Sequence, residues 1–170
     1  MRIGRTARRK GGSAISDDDI VVSIVEDHPL FRRVLAEIVS AAPGMRLGEL
    51  GAGLADVRAG AGPGAVVLLD FYTPGVFGVE TVRRLTRAGY RVLVVSASER
   101  PDHVLESLDA GAAGYLSKAA DADQLLWAIR RVAEGSFYVA PHIASLLLEH
   151  RRRAHPSAAM HALTSRERND

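Results

Sequence analysis

Cysteine is missing from all 170 residues, which excludes disulfides, thiolate-bound metals and cysteine nucleophiles. A reducing compartment is the natural home of such a chain. Long hydrophobic runs are missing too, and no stretch approaches the roughly 20 apolar residues needed to span a bilayer as a helix. Arg2, Arg5, Arg8, Arg9 and Lys10 make the start basic, but Gly11, Gly12, Ser13 and then three aspartates follow where a secretory signal would need an apolar core. A cytoplasmic protein is expected. Positive charge is also scarce in the body of the chain. The formal net charge of +2 rests on 22 cations and 20 anions, but ten of those cations and only two anions lie in residues 1–10 and 151–170. Residues 11–150 keep twelve cations and eighteen anions, a net of −6. An acidic body is a poor nucleic-acid surface, and the basic ends read as solvated tails.

What is present is enough apolar material for one domain plus tails, at 47% hydrophobic residues. Short apolar runs alternate with stretches of helical period, the pattern of βαβ units. Strands are predicted at 20–25, 45–50, 65–69, 91–95 and 114–116. Helices are predicted at 28–41, 76–88, 101–110 and 120–133, with a fifth in the Gly/Ala-rich segment 51–64. Leu125, Ile129 and Val132 form the inner face of the 120–133 helix. On the first helix Leu30, Val34 and Ile38 share one stripe, with Phe31, Leu35 and Val39 beside it. Strands apolar on both faces imply a doubly wound α/β sheet, whose ligands sit beyond the carboxyl ends of the strands.

The polar residues at those ends are therefore the ones to inspect. Strand one runs into Glu26 and Asp27, strand three into Asp70, strand four into Ser96 and strand five into Lys118. Singly, each has a plain structural use, as a helix cap, a turn former or a solvated charge. Together they put three acids, a hydroxyl and an ammonium on one rim. Clustered carboxylates repel one another unless a hard cation neutralises them, and Mg²⁺ favours such oxygen ligands. With Asp27 and Asp70 on the metal, a free oxygen of Asp70 could attack phosphorus, with Lys118 and Ser96 matching the remaining phosphoryl oxygens.

Four motifs carry a family likeness: Val25-Glu-Asp-His-Pro29, Leu69-Asp-Phe-Tyr-Thr-Pro-Gly-Val-Phe-Gly78, Val95-Ser-Ala-Ser98 and Gly111-Ala-Ala-Gly-Tyr-Leu-Ser-Lys118. Their order and spacing over residues 20–135 resemble the receiver domain of bacterial two-component response regulators. The resemblance implies a flavodoxin-like (βα)5 fold with strand order 2-1-3-4-5 and helices on both faces. It implies Asp70 as the acceptor of a phosphoryl group from a sensor histidine kinase, and Mg²⁺ held by Asp27, Asp70, the backbone carbonyl of Tyr72 and, through water, Glu26. Ser96 would be the switch hydroxyl, Tyr115 the aromatic that turns inward with it, and Lys118 the phosphate-binding cation. Tyr72 and Ser98 would screen the acyl phosphate from water. Thr73 and Ala119 depart from the usual family residues without removing a chemical group.

Beyond Gly135, Pro141 opens a helix with Ile143, Leu146 and Leu147 on one stripe, which resembles the linker of the NarL/FixJ class. Leu163-Thr-Ser-Arg-Glu-Arg168 resembles the opening of a LuxR-type helix-turn-helix, and Thr164 with Glu167 forms a capping box. Too few residues follow to build a recognition helix, so specific DNA binding is expected only through an output domain outside this chain. The expected divisions are a tail at 1–18, a receiver at 19–135, a helical linker at 136–155 and a flexible tail at 156–170. The expectation is a signalling switch, homodimeric, acting on transcription and taking part in its own phosphorylation and dephosphorylation. Two alternatives use the same residues. One is a receiver that binds partners without phosphorylation. The other is an aspartate-nucleophile phosphatase of the haloacid-dehalogenase kind, in which Tyr72 stands where an acid is required.

Overall fold

The computed structural model describes residues 18–57, 64–72 and 78–154. Six parallel strands, β1 (Ile20–Val25), β2 (Met45–Gly51), β3 (Val66–Leu69), β4 (Arg91–Ser96), β5 (Gly114–Ser117) and β6 (Tyr138–Val139), form one sheet in the order β2-β1-β3-β4-β5-β6. Five α-helices accompany them: α1 (Pro29–Ala41), α2 (Gly78–Arg87), α3 (Pro101–Asp109), α4 (Ala122–Ala133) and α5 (Pro141–Ala154).

Alternation along the strands divides the core between two faces of the sheet. Val67, Leu69, Val92 and Val94 pack on one side with Val82 and Leu85 of α2, Val104 of α3 and Ile143 of α5. Val66, Leu68, Leu93 and Val95 pack on the other with Leu35 and Val39 of α1 and with Leu125, Ile129 and Val132 of α4. Apolar residues on both faces of β3 and β4 are thus the direct cause of the covered sheet. Of the two apolar stripes on α1, that of Leu35 and Val39 makes the deeper contact: both are buried, whereas Leu30 is 77% exposed. The helix starts are chemically marked. Pro29 and Pro101 stand at the first turns of α1 and α3, and the Asp121 carboxylate accepts a hydrogen bond from the Gln124 amide at the start of α4.

The expected strand order is present, extended by a sixth strand that the sequence reading did not include. β6 pairs with β5 through Gly114↔Tyr138 and Tyr115↔Val139. The helix expected in 51–64 is absent from its described residues. A single turn of 3-10 helix at Leu54–Asp56 follows β2, and the Asp56 carboxylate accepts from the amides of Ala52 and Gly53. An acid that satisfies the backbone of its own turn favours that turn over a helix. Residues 1–17, 58–63, 73–77 and 155–170 lie outside the described residues. Pro74 and Gly75 of the second motif, the tail before Asp18 and the expected helix-turn-helix opening therefore lie outside them as well.

Gly114 seats the edge strand. A Cβ there would lie 2.6 Å from the Tyr138 carbonyl oxygen and 3.0 Å from Leu93 Cδ1. Gly114→Ala is expected to push β6 off β5 and to cost about 1–3 kcal/mol, the usual range for overpacking a close contact. The lowered melting midpoint should be accompanied by faster amide hydrogen exchange at Tyr138 than in the parent.

Candidate functional site

β1 lies between the β2 edge strand and β3, and the connections run from β1 out to β2 and back past β1 to β3, so the strand order reverses there and a crevice opens at the carboxyl ends of β1 and β3. Register does the rest. Val25 pairs with Leu69, and the Asp70 amide donates to the Val25 carbonyl at 2.9 Å, which sets Glu26 and Asp70 side by side. Ser96 pairs with Ser117, and the Lys118 amide donates to the Ser96 carbonyl at 2.8 Å, which brings the lysine to the same rim.

Glu26 and Asp70 are both buried. Lys118 joins them, with its Nζ 2.7 Å from Glu26 Oε2 and 2.8 Å from Asp70 Oδ2. The ammonium also lies over the Phe31 ring, 4.7 Å from its centroid. Burial would lower the pKa of this lysine, but the hydrogen bonds to Asp70 and Glu26 and their charges outweigh it and hold the ammonium above the ordinary lysine range. Asp70 Oδ1 accepts from the Tyr72 amide at 3.2 Å.

His28 is the neighbour that sequence reasoning left without a role. Its Nδ1 lies 2.8 Å from Glu26 Oε1 and 3.0 Å from Asp27 Oδ1, and its amide donates to Glu26 Oε1 at 3.0 Å. The hydrogen bond to Glu26, reinforced by the charges of Asp27 and Glu26, raises the pKa of this exposed imidazole. Both Glu26 oxygens are thereby engaged by the protein itself. Asp27 Oδ1 has the His28 ring nitrogen at 3.0 Å but is buried without a hydrogen bond among the described residues.

The carboxylates of Glu26, Asp27 and Asp70, with His28, offer ligand atoms within 4.8 Å of one another. An orphaned buried carboxylate oxygen beside a second carboxylate fits a hard divalent cation, and an all-oxygen set from Asp27 and Asp70 fits Mg²⁺. Glu26 already faces His28 with one oxygen and Lys118 with the other.

Ser96, at the end of β4, is fully buried, and its hydroxyl oxygen accepts from the Ser98 amide at 3.1 Å. Tyr115 is fully buried as well, and its hydroxyl donates to the Ser98 carbonyl at 2.5 Å. Burial pushes that hydroxyl above the ordinary tyrosine pKa. Glu26, Asp27, Asp70 and Lys118 thus meet at one point, while Ser96 and Tyr115 form an adjoining layer tied through Ser98. Phe31 and His28 were missed because both stand on or beside α1, where the sequence offers only a helical stripe and a residue before a proline.

The match to the family model described as "Response regulator receiver domain" covers residues 22–130. A nitrate/nitrite response regulator protein homolog of Haemophilus influenzae is 31% identical over 160 residues, covering 88% of this chain and 73% of that protein. The transcriptional activator protein ExaE of Pseudomonas putida is 37% identical over 160 residues, covering 86% and 71%. Among solved structures, a two-component response regulator of the LuxR family from Aurantimonas sp. superposes with a TM-score of 0.67 at 26% identity, covering 78% of this chain and 98% of that one.

Proposed function

This chain belongs to the response regulator receiver domain family, and from that premise we propose that it is the phosphoacceptor of a two-component system. In this reading Asp70 receives a phosphoryl group from a sensor histidine kinase, with Mg²⁺ as cofactor. The observation that carries the reading is that Lys118 pairs with Asp70 while Asp27 and Asp70 offer ligand atoms side by side at the crevice, one buried Asp27 oxygen having no hydrogen bond among the described residues.

Asp27, Asp70 and the Tyr72 carbonyl would hold the cation, with Glu26 reaching it through water. When bound, Mg²⁺ supplies positive charge to the equatorial oxygens of the transferring group. An oxygen of Asp70 forms the new bond to phosphorus while the bond between phosphorus and the donor breaks, the donor keeping that bonding pair. Lys118, already aimed by Glu26, stabilises a second phosphoryl oxygen. Ser96 then releases the Ser98 amide and turns its hydroxyl to a third oxygen, drawing the β4–α3 loop with it. Tyr115 is inward before this step, so phosphorylation would hold an arrangement that the resting chain already visits. The phosphatase reading has no support here, because the Tyr72 ring leans on His103 and offers no acid to a leaving group.

A surface for the kinase adjoins the site. Leu30 and Val34 of α1 are exposed beside a cleft of about 250 Å³ lined by Phe31, Leu35, Lys118 and Leu125. An amphipathic helix laid there would bring its phosphoryl group to Asp70. Residues 19–135 would be the receiver and 136–155 the linker, with phosphorylation shifting a homodimer that acts on transcription through an output domain.

Incubation with Mg²⁺ and a small acyl phosphate should add one phosphoryl group per chain, and a chelator should prevent it. Label mapping to a residue other than Asp70 would overturn the reading. The metal ligand is tested separately. Mg²⁺ should raise the melting midpoint of the parent, as any ligand of the folded state does, and leave Asp27→Asn unmoved. Without metal that variant should be at least as stable as the parent, because it loses a like-charge contact with Asp70.

A further inference from the structure

Beside the acceptor stands a cluster that the transfer step does not use. Ser98 Oγ and His103 Nδ1 are 2.8 Å apart. The Tyr72 ring lies against the His103 ring, with centroids 5.0 Å apart. Tyr72 and Ser98 also share a side-chain hydrogen bond. The three groups close a triangle: the Tyr72 and Ser98 hydroxyls meet, Ser98 Oγ meets the His103 ring nitrogen, and the imidazole ring lies against the phenol. This triangle is fixed to the site at both ends. The Tyr72 amide donates to Asp70 Oδ1, and the Ser98 amide donates to Ser96 Oγ. His103 itself sits on the first turn of α3, a rigid element anchored by buried Val104.

We propose that His103 is a positioning residue that sets the lifetime of the phosphorylated state, a step that rests on the reading of Asp70 as phosphoacceptor. Loss of the signal is a hydrolysis. A water oxygen bonds to phosphorus, the bond from phosphorus to the Asp70 oxygen breaks, the carboxylate keeps that pair, and dihydrogen phosphate leaves with both water protons. The water must approach opposite Asp70, and the two side chains nearest along the chain to the acceptor and to Ser96 in this cluster, Tyr72 and Ser98, are the ones proposed to flank that approach. Tyr72 is 47% exposed and would swing freely on a bare surface. His103 holds it, and Ser98 with it, in one arrangement that narrows the approach.

The test is the decay of the labelled protein at fixed Mg²⁺ after removal of the donor, followed by intact mass. His103→Ala should lose phosphate about fivefold faster than the parent, roughly the effect of losing one neutral hydrogen bond, with its rate of uptake unchanged. His103→Phe, which keeps a ring against Tyr72 but offers Ser98 no hydrogen-bonding ring nitrogen, should fall between the two. Adding His103→Ala to Tyr72→Ala/Ser98→Ala should change nothing further, because the groups it positions are gone. A merely structural role would not give that non-additivity. Decay of His103→Ala at the parental rate or slower, in a parent that labels on Asp70, overturns the proposal alone. A parent that never labels on Asp70 overturns it together with the reading beneath it.

Discussion

Asp70→Asn is expected to take no phosphoryl group from an acyl-phosphate donor under conditions in which the parent is labelled to completion. The substitution preserves shape. The amide oxygen can still accept from the Tyr72 amide, as Asp70 Oδ1 does at 3.2 Å, but a neutral amide does not attack phosphorus. The stability cost should stay within about 1 kcal/mol, since removing one carboxylate weakens the pairing with Lys118 and at the same time relieves repulsion from Glu26 and Asp27. Lys118 keeps Glu26 at 2.7 Å. Intact mass and a thermal melt check both halves. An adduct that persists in a folded Asp70→Asn protein would remove Asp70 from its assigned role.

Lys118→Ala attacks the same site from the opposite side and should damage both fold and chemistry. It leaves Glu26 and Asp70, both buried, without the cation that joins them. Breaking a fully buried ion pair costs about 3–5 kcal/mol, and the partial access of water to this rim lowers the expected loss to about 2 kcal/mol. Phosphoryl uptake should fall about tenfold to a hundredfold, the effect of losing one charge-stabilising donor.

The pH dependence of that deficit has a definite sign. The pKa of Lys118 is raised in the folded chain, so its stabilisation is complete below the ordinary lysine value of 10.5 and is lost as pH rises through the higher folded value. The gap in melting midpoint between parent and Lys118→Ala should therefore hold steady through neutral pH and close only in strong alkali. A gap that closed near pH 7 would assign the stabilisation to another group.

Legibility in the sequence followed burial. The β1, β3 and β4 segments are apolar at successive positions because both faces are covered, and such runs stand out against any background. Asp70 and Ser96 could be placed because they directly follow or end such a strand, Asp27 because it stands two residues past β1, and Lys118 because it follows the shorter β5. β6 could not be. Two residues carry no periodicity, and Tyr138 and Val139 are extended only because Gly114 and Tyr115 lie alongside. The 51–64 segment failed for a different reason. Its alanines favour helix and its glycines oppose it, and within the described residues the Asp56 carboxylate decides for a turn. The His28–Glu26 contact and the Phe31 ring under Lys118 are side-chain meetings between a helix start and a strand end, and no spacing rule along the chain encodes them.

The two-rung attachment of β6 also has a mechanical meaning. Only the Gly114↔Tyr138 and Tyr115↔Val139 pairs tie this strand to the sheet, and of the helix that follows only Ile143 is buried. A pull applied beyond Ala154 would peel α5 away and unzip two rungs before it loaded β5. The other five strands, and with them the acidic crevice, would keep their register under that load. The edge of the sheet would thus act as a fuse under such a pull, giving way before the site does.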